Sequence, residues 1–165
     1  MKRWQRRTLG ILAIGGGGVG VAVSVAQAWQ VGWSLALVFL AVAVALYAWG
    51  IGCGVALLEE RPRAEHANFW FWLAQVPVFT SPFATYFFSA GALLLVKVDF
   101  WPMAIHWNAF LGSQFTFQVG MHQPYGFGLN FLALVICFWL WRWFDLRPAP
   151  DQTIGTGASP GTEAN

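Results

Sequence analysis

Three long stretches of this chain, residues 8–58, 66–96 and 100–141, contain no Asp, Glu, Lys or Arg. A charge near the bilayer centre costs roughly 2.5–3.5 kcal/mol on insertion scales, and these stretches avoid that cost entirely. The charges gather between and beside them, at residues 2–7, 59–65, 97–99 and 142–147, with Asp151 and Glu163 further on. Charged residues make up 10% of the 165, where a soluble domain carries about 25%. The pattern points to an integral membrane protein.

About 20 apolar residues in a helix cross a bilayer core of about 30 Å. On that scale the sequence predicts an all-α integral membrane protein, a bundle of about four transmembrane helices. The spans fall at about 9–29, 34–58, 69–96 and 127–143, within a membrane domain of residues 1–147. The first two are so close that they must form a hairpin, with Trp29 and Trp33 at the outer interface. The third is long for one crossing. Pro77 and Pro82 each remove a backbone donor, so both are expected to kink it. Residues 97–126 form one extracytoplasmic segment between helices 3 and 4. Residues 148–165, rich in Pro, Gly, Ser and Thr, read as a disordered cytoplasmic tail.

Orientation follows from the basic residues. With both termini inside, Lys2, Arg3, Arg6, Arg7, Arg61, Arg63, Arg142 and Arg147 all lie on the cytoplasmic side, and Lys97 alone lies outside. That asymmetry satisfies the positive-inside rule, and the expected location is a bacterial inner membrane, with the chain as a multi-pass protein. Residues 1–28 also have the form of a signal peptide, with Ala26-Gln27-Ala28 as its cleavage site; cleavage would leave three spans and an outside N-terminus.

Two glycine patches, Gly16-x-x-x-Gly20 and Gly50-x-x-x-Gly54, lie at comparable depth in the first two spans. Missing side chains let helix backbones approach, so Gly16, Gly20, Gly50 and Gly54 are expected to be helix-packing positions. The outer segment is the most unusual stretch. From Gln114 to His122 polar and apolar residues alternate, and period two predicts an extended strand lying on the bundle as a lid or docking surface. His106, Gln114, Gln118, His122 and Tyr125 are its candidate ligand or partner residues.

Met103-x-x-His106 and Met121-His122 hold side chains that suit copper or haem, but no dedicated ligand spacing is present. No metal and no cofactor are therefore assigned. Cys53 and Cys137 are singles within apolar runs and supply neither a C-x-x-C nor a zinc spacing. No catalytic residue is assigned, because no nucleophile–base pair or carboxylate pair falls in a span or the outer segment. The basic N-terminus directly precedes an apolar run, so its role is topogenic and no nucleic-acid partner is expected. The expected partners are the lipid bilayer and other membrane proteins or a second copy. The leading expectation is a small non-enzymatic accessory or interaction subunit of a larger membrane assembly. The alternatives are a small-molecule binder or transporter using the kinked third helix and the outer segment, and a haem or copper protein using outer His and Met.

Overall fold

The computed structural model describes residues 3–31, 35–119 and 124–145. Two long helices open it, α1 (Arg3–Val31) and α2 (Leu35–Leu58), followed by a short α3 (Ala64–Leu73). Six strands come next: β1 (Pro77–Thr80), β2 (Ala84–Ser89), β3 (Ala92–Phe100), β4 (Met103–Leu111), β5 (Gln114–Val119) and β6 (Gly126–Asn130). Helix α4 (Phe131–Asp145) closes the described chain. α1 and α2 are long and apolar enough to cross a membrane.

The all-α bundle is therefore incorrect. The stretch read as a third span is α3, β1, β2 and the first half of β3; the fourth span is strand β6 followed by α4. Hydrophobicity alone does not separate a buried strand from a buried helix. What decides is local chemistry. Pro77 opens β1 and Pro82 lies in the turn to β2, so neither kinks a helix. Between and after them Val, Phe, Thr and Tyr dominate, residues that fit a pleated surface. The outer segment is likewise not a lid on a bundle. Residues 97–119 are integral strands of one antiparallel sheet. Gln114–Val119 is extended, as the alternation predicts, while residues 120–123 and the tail lie outside the described residues.

The strand order is β4-β3-β6-β1-β2-β5, every neighbouring pair antiparallel. β4 and β5 are the two edges, yet only Gly112 and Ser113 join them. Three peptide steps reach about 10 Å, whereas five strand spacings in a flat sheet amount to about 24 Å. The sheet must curl into a half-barrel whose edges converge at this link. Val78, Phe87 and Leu93, from β1, β2 and β3, accordingly form one cluster on the concave side.

The two faces differ sharply. One register row across all six strands reads Ala104, Asp99, Gly126, Thr80, Thr85, Gln118. The next row, on the opposite face, reads Ile105, Val98, Phe127, Phe79, Tyr86, Phe117. The concave face is thus polar toward its open end, and the convex face is apolar throughout. Half of the convex face packs on helices: Phe117 meets Phe39 of α2 with ring centroids 4.9 Å apart, and Phe88 meets Tyr47 at 5.3 Å and Phe71 at 6.1 Å.

The half-barrel stands on α1 at Gly16. A methyl at Gly16 would collide with the backbone of Ala90 and Gly91, and Ser113 donates its hydroxyl to the Gly16 carbonyl. Of the other packing glycines, Gly20 receives the Tyr47 ring, Gly50 the Phe71 ring, and Gly54 the Gly10 carbonyl and Ile14. Below this level lie only helices. Arg6 bridges Glu60 and Glu65, each at 3.2 Å, which sets the start of α3 beside the start of α1. Buried amides seal the change from helix to strand. Asn68 donates to the Cys53 carbonyl at 2.7 Å, and the Gln75 side-chain oxygen accepts from Ala90 N–H at 2.8 Å. Asn130 accepts from Leu94 and, as the N-cap of α4, from Ala133 N–H.

The seat at Gly16 gives a paired test. Gly16→Ala should destabilise the purified protein by about 1–3 kcal/mol, since backbone atoms must move to admit the methyl. Gly15 has nothing within 4 Å of an added methyl, so Gly15→Ala should be neutral or gain up to about 1 kcal/mol from reduced backbone entropy. Denaturant unfolding in detergent measures both.

Candidate functional site

The half-barrel's open end carries the one cluster of charges on the sheet. Lys97 and Asp99 alternate with apolar neighbours along β3 and so point to the concave face, where His106 of β4 sits opposite Lys97. Lys97 Nζ lies 2.8 Å from Asp99 Oδ1, and His106 Nε2 lies 3.1 Å from Asp99 Oδ2. One carboxylate, only 7% exposed, is held between two cationic or hydrogen-bonding groups.

Gly126 makes the cluster possible. It pairs with both Asp99 and Thr80 in the ladder, and a Cβ there would strike Asp99 Oδ1, Thr80 Oγ1 and Lys97 Cε. The hydroxyls of Thr80 and its register partner Thr85 are buried without hydrogen-bond partners among the described residues. Deeper in the concave face, the Ser89 hydroxyl and the Asn130 amide nitrogen are also unpartnered. The concave side therefore holds two separate groups of unused donors and acceptors, Thr80 and Thr85 near the Lys97–Asp99–His106 mouth and Ser89 and Asn130 nearer the seat on α1, with the apolar cluster of Val78, Phe87 and Leu93 between them.

Of the residues singled out from sequence, His106, Gln114 and Gln118 share this concave face, but His106 lies on one edge strand and the glutamines on the other. Tyr125 is half exposed, and its carbonyl accepts from Phe100 N–H at 2.7 Å, extending the β3–β6 ladder above the cluster. His122 lies outside the described residues. Met103 and His106, an odd and an even position of β4, project to opposite faces and cannot chelate one ion together. Among the described residues no group of three His, Cys, Asp or Glu side chains converges, and the Lys97 ammonium occupies the position a cation would take beside Asp99. Cys53 and Cys137 are buried free thiols. Sequence reasoning missed Asp99, Lys97, Thr80 and Thr85 as a group. The Lys97-x-Asp99 spacing was the available signal, because it sets both charges on one face of a strand.

The second feature is apolar and much larger. On β4, Met103, Ile105, Trp107 and Leu111 are 82%, 68%, 78% and 82% exposed, on the same convex face that elsewhere packs on helices. Phe100, Trp101, Leu94 and Phe127 extend the patch, and Phe131, Leu134, Val135, Phe138 and Trp141 continue it along α4. Exposed apolar surface of this extent marks a membrane or partner contact. No protein-family profile, no curated protein and no solved structure matches this chain.

The charge cluster predicts an asymmetric response. Asp99→Ala leaves Lys97 without its partner in a largely enclosed site and should cost on the order of 3 kcal/mol. The double substitution Lys97→Met with Asp99→Ala should recover most of that loss, because no unpaired charge remains. The more exposed His106 should cost under about 1 kcal/mol on replacement by alanine. Unfolding of these variants, the single Lys97→Met and the unaltered protein in one detergent measures the set, and additive losses in the double variant would contradict the pairing.

Proposed function

We propose that this protein is a non-enzymatic accessory subunit of a membrane assembly, embedded with its half-barrel beside its two long helices. The supporting observation is the exposed apolar surface of β4 and α4, together with the exposed apolar side chains of α1 and α2.

Depth can be followed along α1. Arg6 and its two carboxylate partners mark the inner boundary, and ten residues further, about 15 Å, Gly16 carries the base of the sheet. α3, with 10 residues, covers the same height, which is why strand begins where it does. From that base β5 climbs beside the helices: Ser113 meets Gly16, while Gln118, Phe39 and Gln27 line one groove. Five strand residues and eleven helix residues both rise about 16 Å, so β5 runs along the axis of α1.

In a bilayer crossed by α1 and α2, the lower sheet then lies at hydrocarbon depth. The part of the convex face that no helix covers faces lipid or partner, and the charges of Lys97, Asp99 and His106 sit about 20–26 Å above the base, near the outer interface. Irregular or stranded backbone at membrane depth is tolerated where protein encloses it. The helices enclose the β5 side, and the β4 side needs a partner.

Sizing of the protein solubilised gently from its source membranes tests this. The subunit should migrate in a complex well above the 18.3 kDa chain in its micelle, and Trp107→Glu should release it while leaving it resistant to alkaline carbonate extraction. Release of the unaltered protein by carbonate would overturn the membrane placement; migration of the unaltered protein alone would overturn the assembly.

A further inference from the structure

The backbone of β4 says more than its side chains. Gly91 and Gly112 exchange both of their hydrogen bonds, with N···O distances of 3.1 and 3.0 Å. Along an antiparallel ladder such pairs alternate with non-bonded ones. In the β3–β4 register, Ala104, His106, Asn108 and Phe110 therefore bond to β3. The N–H and C=O groups of Met103, Ile105, Trp107, Ala109 and Leu111 point away from the sheet. The hydrogen bond from Phe100 N–H to Tyr125 C=O, on the other side of β3, has the phase this requires.

Three of those residues fall within hydrocarbon on the placement proposed above. Leu111, Ala109 and Trp107 stand about 3–17 Å above the base at Gly112, and the base lies about 12 Å along α1 from Thr8. They span about 15–29 Å of a core about 30 Å thick. Among the described residues nothing pairs these six backbone groups, and at that depth such groups are untenable, since each costs several kcal/mol in lipid.

We infer that the β4 edge receives an extended strand from a different membrane protein. This rests on the membrane placement. A second copy of the chain is the natural alternative, and geometry disfavours it. Antiparallel pairing of two β4 strands needs a two-fold axis perpendicular to the sheet, which would point the basic end of the copy to the opposite side of the membrane. An axis along the strands preserves orientation but turns the copy's faces over, so that Asn108 and His106 of one copy continue the apolar face of the other. The remaining free edge among the described residues, β5, is joined to its own β4 by two residues and faces it. The incoming strand must alternate, with apolar residues beside Trp107 and Leu111 and polar ones on the side of His106 and Asn108. Main-chain hydrogen bonds would supply its affinity and the alternation its register.

The test places a photo-reactive benzoylphenylalanine at position 107 in source membranes. Irradiation should give one discrete protein adduct whose mass is not twice that of the chain. Ala109→Pro removes an outward N–H without touching the β3–β4 hydrogen bonds, as does Ile105→Pro. Each should abolish the adduct while the purified subunit retains its unfolding midpoint, whereas Asn108→Pro, which breaks a bond to β3, should lower that midpoint. If one outward proline impairs folding, the other carries the comparison. An adduct of twice the chain mass, adducts with lipid only, or a protein adduct that survives a well-folded outward-proline variant would each overturn the inference. Throughout, carbonate resistance reports separately on the membrane placement.

Discussion

Gly112 and Ser113 must join the two outermost strands of a six-stranded sheet, and the architecture above the helices follows from that short link. A flat sheet would hold those strand ends more than twice as far apart as the link can reach. Curling resolves the conflict and separates the faces. The polar rows turn inward, where Asp99 is held by Lys97 and His106, and the apolar rows turn outward. The link also serves as the foot of the barrel, since Ser113 and the paired Gly91 rest on α1 at Gly16. A side chain at Gly16 or Gly91 would lift the sheet from its seat.

The helical layer below is matched to that seat. Arg6, Glu60 and Glu65 tie the lower ends of α1, α2 and α3 together, and the length of α3 brings the chain up to the level of Gly16. There the backbone changes from helix to strand, leaving groups that neither ladder satisfies. Gln75 and Asn130, both fully buried, take those hydrogen bonds. Their cost of burial is offset because each amide oxygen accepts from a backbone N–H that would otherwise be unpaired. The unpartnered Thr80, Thr85 and Ser89 hydroxyls on the concave face contrast with this economy.

The first two helices were legible in sequence because each is a charge-free run of spanning length, and α1 and α2 occupy them. The third and fourth spans were misread for the same reason. A run such as Val76 to Val96 is apolar whether it is one buried helix or three buried strands, and length favoured the helix. The competing signals were present. Pro77 and Pro82 sit six residues or fewer from aromatic and β-branched clusters, and Ser81, Thr85 and Ser89, whose spacing also fits one face of a helix, are a turn residue and two positions on one face of β2. Period two was recognised at Gln114 but not at residues 103–111, where Met, Ile, Trp and Leu alternate with His and Asn. His106 was legible as a candidate from its residue type alone. Its partner Asp99 was not, because the pairing depends on a hairpin register that no local pattern states.

On the proposed placement, this half-barrel stands upright in the membrane beside α1 and α2. Polarised infrared spectroscopy of the protein in oriented bilayers tests it directly, since the amide I bands of helix and sheet report their orientations separately. Helices and strands should both be tilted toward the membrane normal, with a clear sheet component. Strands lying in the membrane plane, or a spectrum with helix alone, would contradict the account.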